Sequence, residues 1–99
     1  MPWLPIRLYR DFYDVPRAFL VERAGTVLLF DCPFDDAADD YPDRYRVYRM
    51  PPDALTTAAQ GSWVELWRQG QFLTEVPVAA VQFDTTRRVA ADVPSLDAE

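Results

Sequence analysis

The chain has 99 residues, 49% of them hydrophobic and 14% aromatic, which is enough apolar side chain for one domain with its own core. Its formal net charge is −6, with sixteen acidic residues against ten arginines and no histidine. These counts exclude catalytic triads and zinc sites built on histidine, and the single Cys32 excludes an intramolecular disulfide.

The first third of the chain predicts three β-strands. Residues 4–13 alternate between apolar and polar side chains, as a half-buried strand does. The segment 14–16 contains a proline that interrupts the pattern, and residues 17–23 are predicted as a returning strand. After a turn at 24–25, the apolar run 26–30 is typical of a central strand covered on both faces.

Two further strands are predicted after a polar connection. Residues 44–49 alternate again and are predicted as a fourth strand that Pro51 and Pro52 end. Residues 76–84, VPVAAVQFD, are predicted as the last strand, and Pro77 favours its start or a sheet edge.

One or two short helices are predicted between these strands. Asp53 is placed to cap a helix over 54–60 that Gly61 closes. Ser62-Trp63-Val64-Glu65 has the spacing of a capping box and predicts a second helix, although the same stretch also alternates weakly as a strand would. In the helical interpretation one apolar stripe belongs to the core and consists of Trp63, Leu66 and Trp67.

These elements predict an α+β, β-rich fold. It is an antiparallel meander of about five strands with one or two short helices before the last strand, either as an open curled sheet or as a small, partly closed barrel. Residues 1–88 are predicted to form a single globular domain, and residues 89–99 a loosely ordered tail.

The negative charge is concentrated in one segment. Residues 31–43 contain six aspartates and no basic residue, whereas the rest of the chain has ten acidic residues and ten arginines. A balanced body with one negative patch biases which partners approach it. We expect an acidic loop here that binds a basic protein surface, with the candidate residues Asp35, Asp36, Asp39, Asp40 and Asp43.

Two alternatives remain for this loop. It is a solvated connection without a partner, or its carboxylates bind a divalent cation or act in an aspartate-based hydrolytic site. The segment has neither the glycine nor the glutamate of an EF-hand loop, so the cation alternative has no matching motif.

Other function classes have little support in the sequence. Three glycines cannot form a glycine-rich nucleotide loop, and we expect no cofactor. The acidic balance opposes phosphate binding, so we expect no nucleic-acid partner. A base-stacking sheet surface would draw on the four tyrosines Tyr9, Tyr13, Tyr45 and Tyr48 and the four arginines Arg7, Arg10, Arg46 and Arg49.

The sequence therefore predicts a small, non-catalytic binding or accessory protein. No apolar run is long enough for a membrane span and no signal-peptide core is visible, which predicts a cytoplasmic location and no membrane partner. A homodimer through an open sheet edge or the tryptophan stripe is a further expectation. The absence of lysine, asparagine and histidine is typical of a GC-rich, bacterial genome.

Overall fold

The computed structural model describes residues 3–96 and contains two antiparallel sheets. Five strands adjacent in sequence form the larger sheet: β2 (Leu8–Tyr13), β3 (Val15–Arg23), β4 (Thr26–Asp31), β5 (Arg44–Met50) and β6 (Gln71–Pro77). The smaller sheet has the order β1 (Trp3–Pro5), β8 (Ala90–Asp92) and β7 (Gln82–Phe83). The helical elements are α1 (Ala54–Ala59) and two 3₁₀ turns, Leu66–Gln69 and Val78–Ala80. The β-rich meander is confirmed, and the sheet is open rather than closed into a barrel.

The larger sheet has a hydrophobic core on each face. Because side chains alternate along a strand, Leu28 and Phe30 of β4 enter one core while Val27 and Leu29 enter the other. The first core includes Val81 and residues of the small sheet, and the second is covered by α1 and Leu66. This confirms the prediction that the run 26–30 is a central strand buried on both sides.

The predicted strand 4–13 is two strands in different sheets. The amide of Ile6 donates to the carbonyl of Val89, at 2.8 Å, whereas the next amide, that of Arg7, donates to Leu20, at 2.9 Å. Adjacent residues thus bond to different sheets, so β1 pairs with β8 and β2 pairs with β3. The alternation of the sequence continues through this crossing and does not reveal it.

Two tight turns connect β2, β3 and β4. Asp14 alone separates β2 from β3, with φ of 60°, and Pro16 lies inside β3 opposite Phe12. Ala24 and Gly25 have φ of 52° and 81°, the left-handed pair that suits a two-residue hairpin. The second turn is as predicted, whereas β3 begins two residues earlier than its predicted start.

The helical region between β5 and β6 contains one α-helix and a 3₁₀ turn, within the prediction of one or two short helices. Asp53 precedes α1, but its side chain makes no capping bond. The predicted capping box does not form, because Glu65 has a left-handed φ of 56° and only a 3₁₀ turn follows it. Gly70 lies so close to β5 that a Cβ there would be 2.8 Å from the carbonyl oxygen of Arg49.

The last strand of the larger sheet lies earlier than predicted. β6 spans Gln71–Pro77, whereas much of the predicted strand 76–84 is the 3₁₀ turn Val78–Ala80 and the short β7. The pairing register between β5 and β6 shifts between Val47 and Tyr48. A bulge of this kind breaks the period of two along the strand.

The predicted tail 89–99 needs correction for its described part. Ala90–Asp92 form β8, and Ala91, Val93 and Leu96 are buried in the first core. Short, widely separated apolar residues gave no periodic signal for this packing. The remainder of the predicted tail, residues 97–99, lies outside the described residues.

Candidate functional site: the acidic loop

The acidic loop joins β4 to β5 and folds back on itself as a small hairpin. The amide of Asp35 donates to the carbonyl of Asp40 at 2.8 Å, and the amide of Asp40 donates to Asp35 at 3.3 Å. The Oδ1 atom of Asp35 also accepts the amides of Ala37 and Ala38, at 3.0 and 3.3 Å. An aspartate that accepts the amide two residues ahead stabilises a turn, so the segment has a defined shape.

The five candidate carboxylates all lie on the exposed surface of this loop. Within residues 3–96, none of them forms an ion pair with an arginine. Arginines elsewhere on the body pair with other acids instead, as in Arg7 with Glu22 and Arg46 with Glu75. The structure therefore brings Asp35, Asp36, Asp39, Asp40 and Asp43 together on one loop, without neutralising them.

The C-terminal half of the loop is attached to the body by aromatic and backbone contacts. The ring of Tyr41 stacks on Tyr13, with centroids 5.5 Å apart, and Phe34 meets Tyr41 edge-on at 5.1 Å. The carbonyl of Asp43 accepts the amide of Val78 at 2.8 Å. These contacts place the loop beside the 3₁₀ turn Val78–Ala80, where the two sheets meet.

The buried side chain of Arg17 connects the loop to β3. Arg17 is only 7% exposed, and its guanidinium lies 4.9 Å from the centroid of the Tyr41 ring. It donates to Asp14 Oδ1 at 2.7 Å and to the carbonyls of Tyr13 and Pro42 at 3.2 and 3.4 Å. Nothing in the sequence marks Arg17 as part of the site, because an arginine that becomes buried inside a strand pattern carries no distinguishing signal.

Electrostatics keep Arg17 charged and Cys32 protonated. Burial opposes the charge of Arg17, but its hydrogen bonds to Cys32 Sγ and Asp14 outweigh burial and raise its pKa. Burial disfavours the thiolate of Cys32 and so raises the pKa of this thiol, which is 1% exposed and donates to the carbonyl of Pro42 at 3.1 Å. Cys32 is thus a buried contact under the loop, as its position after an apolar strand indicated.

Asp31 differs from the other acidic residues of the segment. It ends β4, opposite Ala18 of β3 and Arg46 of β5. Burial, together with the charge of Asp11, raises its pKa to about 6, although Arg46 and Arg10 act in the opposite direction. Asp31 therefore belongs to the sheet rather than to the exposed surface of the loop.

The described residues give no geometric support for a metal centre in the loop. Across residues 3–96, no three side chains of the His, Cys, Asp and Glu types are grouped as ligands of one ion. Asp35 and Asp40 instead accept backbone amides of the loop itself, Asp40 Oδ1 that of Tyr41 at 2.7 Å.

The residues considered for base stacking and for the apolar stripe are divided between surface and core. Tyr45 and Tyr48 are 0% and 5% exposed and lie in different cores, so they offer no ring face to a base. Leu66 is buried and Trp63 half-buried, whereas Trp67 is 40% exposed beside Tyr48 and so is not wholly a core residue.

In the described part of the chain, no helix combines the length and apolar character needed to cross a bilayer.

Comparison with known proteins identifies no relative. No protein-family model, no curated protein and no solved structure matches the chain. The geometry and charge of the acidic loop are therefore the basis for inferring a function.

Proposed function

We propose that this chain is a small, non-catalytic binding protein whose acidic loop docks on a basic surface of a partner protein. The observation that supports the proposal is the combination of five exposed carboxylates without arginine partners, within residues 3–96, on a loop of defined shape. Exposed charges that are not neutralised internally attract opposite charge on a partner and raise the rate of association.

The attachment of the loop also supports recognition. A partner that binds a flexible segment must offset the entropy of ordering it, whereas a pre-shaped loop avoids most of that cost. Arg17 and Tyr41 fix one half of the loop, and the bridge between Asp35 and Asp40 fixes the other. The carboxylates are therefore presented in one arrangement before a partner arrives.

The proposal includes a cytoplasmic location, in keeping with a lone thiol, Cys32, that has no disulfide partner in the chain. A homodimer stays a separate prediction, for which the edge strand β6 and the exposed Trp67 are the relevant surfaces. The cation-binding alternative has no group of ligands in the described residues, and the hydrolytic alternative has no separate observation in its favour.

The test compares the wild-type chain with a loop variant in which Asp35, Asp36, Asp39, Asp40 and Asp43 are all changed to asparagine. The side-chain oxygen of asparagine accepts the same amides, so the loop keeps its shape and loses only its charge. Proteins retained from a host lysate by the wild type are purified, whether or not the loop variant also retains them, and their association rates with both chains are measured from about 0.05 M to about 0.5 M NaCl. We expect the wild-type rate to fall roughly tenfold or more over this range and the variant's rate to be low and nearly independent of salt.

A charge-matched variant controls for the change in net charge. It carries the corresponding amides at five acidic positions outside the loop: Asp11, Glu22, Asp53, Glu65 and Glu75. We expect this variant to associate much as the wild type does. Equal binding of a purified partner to the wild type and the loop variant would overturn the proposal, and a rise in Tm with Ca²⁺ or Mg²⁺ that the loop variant abolishes would favour the cation alternative instead.

A further inference from the structure

A groove lies next to the acidic loop, at the junction of the two sheets. It consists of two neighbouring cavities of about 450 Å³ each, and both are lined by Val78 and Ala79 of the 3₁₀ turn. The first cavity adjoins the acidic loop, and the second extends between β3 and β7. Because they share this turn, one segment of a partner is able to contact both.

The first cavity is acidic and aromatic. Its walls include Tyr13, Asp14, Asp40, Tyr41 and Asp43. Tyr13 is 59% exposed, and its ring stacks on Tyr41. The guanidinium of Arg17 already lies 4.9 Å from the Tyr41 centroid and 5.8 Å from that of Tyr13, so the carboxylates supply the attraction for a partner's arginine or lysine, and the exposed ring of Tyr13 supplies contact area for its aliphatic stem.

The cation already present in this cavity does not cancel its negative charge. Arg17 lies at the base of the cavity, 9% exposed at its side chain, and is paired with Asp14 at 2.7 Å. Asp40 and Asp43 form no ion pair with a described arginine and remain available to a basic side chain of a partner.

The second cavity has no acidic residue in its lining. It is lined mainly by apolar side chains, among them Val15, Val81 and Phe83. Its one charged residue is Arg87, whose guanidinium donates to the carbonyl of Asp14 at 2.9 Å. A second cation is therefore repelled here, and an apolar side chain is favoured.

We propose that this groove binds a segment of the partner protein that carries an arginine or lysine followed closely by an apolar side chain. The basic side chain enters the cavity of Tyr13, Tyr41, Asp40 and Asp43, and the apolar one enters the cavity of Val81 and Phe83. The inference rests on the proposed function, because it names the part of the basic partner that the loop and the adjoining groove recognise.

The experiment uses capped tripeptides as probes of the groove. Ac-Arg-Ala-Leu-NH₂ is titrated into the ¹⁵N-labelled chain, with Ac-Glu-Ala-Leu-NH₂ and Ac-Arg-Ala-Ser-NH₂ as matched controls, and amide shifts are followed by NMR. We expect saturable shifts at Tyr13, Tyr41, Val78 and Ala79 with the first peptide. Binding of each control peptide should be roughly tenfold weaker, the effect of losing one well-placed contact.

A substitution in the 3₁₀ turn that lines both cavities tests whether the groove binds the partner. Ala79 is exposed, so Ala79→Arg places a cation between the two cavities without disturbing a core. We expect this variant to lose the tripeptide shifts and to weaken binding of a purified partner roughly tenfold. The matched control is Asp36→Asn combined with Asp39→Asn, which changes the loop without touching the groove and should leave the tripeptide shifts in place.

The outcomes separate this inference from the proposed function. If Ala79→Arg leaves partner binding unchanged while the loop variant weakens it, the groove inference is overturned and the proposed function stands. Tripeptide shifts that do not saturate, or that spread over residues 35–40 alone, also overturn it. If the loop variant binds the purified partner as the wild type does, the proposed function fails, whatever the tripeptides show.

Discussion

Arg17 is the residue on which the arrangement of the acidic loop most depends. Its guanidinium bonds to Tyr13, Asp14 and Pro42, and so joins the β2–β3 turn to the far end of the loop. A buried cation is costly unless hydrogen bonds satisfy it, and here three oxygens and the Cys32 sulfur do so. One arginine therefore links a local sequence choice to the shape of the candidate site.

We predict that Arg17→Ala destabilises the chain by about 2 kcal/mol, because it removes the side-chain donor to the carbonyl of Tyr13, leaves Cys32 as the remaining side-chain donor to the carbonyl of Pro42, and removes the support of the Tyr41 ring. Urea unfolding measures this loss, and faster amide exchange at residues 35–41 accompanies it. Arg7→Ala is the matched control, since Arg7 is 49% exposed at its side chain and lies 3.1 Å from Glu22, which is 38% exposed at its side chain, a pair worth less than about 1 kcal/mol. Equal stability of the two variants would show that Arg17 does not hold the loop.

At the scale of elements, the sequence predicts what periodic burial encodes and misses what tertiary contacts decide. The run 26–30 reads as a central strand because both of its faces are apolar, and β4 has this position. The change of sheet at Ile6 and Arg7 depends on which distant carbonyl each amide meets, and no local pattern records it. The same holds for β8, which needs partners on two other strands to form.

The candidate site is divided in the same way. The aspartates that form its surface are visible as a charge count, and the structure places the five candidates on one loop. Arg17 and the turn Val78–Ala80, which support the loop, lie in segments that were predicted as ordinary strand. Charge is a property of composition, whereas the support of a loop is a property of contacts between distant residues.

Asp84 organises the connection between β7 and β8. Its carboxylate accepts hydrogen bonds from the hydroxyl of Thr86 and from four backbone amides, which are those of Thr86, Arg88, Val89 and Ala90. The hydroxyl bond of Thr86, followed by the amide of Val89, lowers the pKa of Asp84 below its ordinary value. Because the folded chain favours the ionised form, this stabilisation is present near neutral pH and is lost in acid.

We predict that Asp84→Ala loosens the small sheet, because β7 and β8 have only two and three residues and depend on their connection for order. Amide exchange at Val89, Ala90 and Ala91 should accelerate several-fold relative to residues of β4, and Tm should fall. Asp53→Ala is the control, since the Asp53 side chain makes no capping bond and its loss should change stability by less than about 0.5 kcal/mol. Unchanged exchange at these three amides would contradict the role given to Asp84.

At the scale of the whole molecule, the chain separates balanced from unbalanced charge. The ion pairs of the body join opposite charges along the sheet and the 3₁₀ turn, as in Arg7 with Glu22, Arg46 with Glu75 and Arg68 with Glu65. The acidic loop lies at one end of β4 and β5 and has no such partners within residues 3–96. The described part of the molecule therefore has a negative end, and under the proposed function this asymmetry would orient the approach of a basic partner.

Asp31 makes the stability of the whole molecule depend on pH in a direction opposite to that of Asp84. Its pKa is raised from 3.8 to about 6 by burial and by Asp11, against the attraction of Arg46 and Arg10. Between these two values the folded chain holds a proton that the unfolded chain releases, so the free energy of unfolding falls as pH rises from about 4 to about 6. The substitution Asp31→Asn removes this dependence on pH. We predict that the free energy of unfolding of the variant gains up to about 3 kcal/mol relative to that of the wild type between about pH 4 and pH 7, since one pKa unit corresponds to about 1.4 kcal/mol. Urea unfolding of both proteins across this range measures the difference, and a difference that does not change with pH would mean that Asp31 is not held in a desolvated environment in the folded chain.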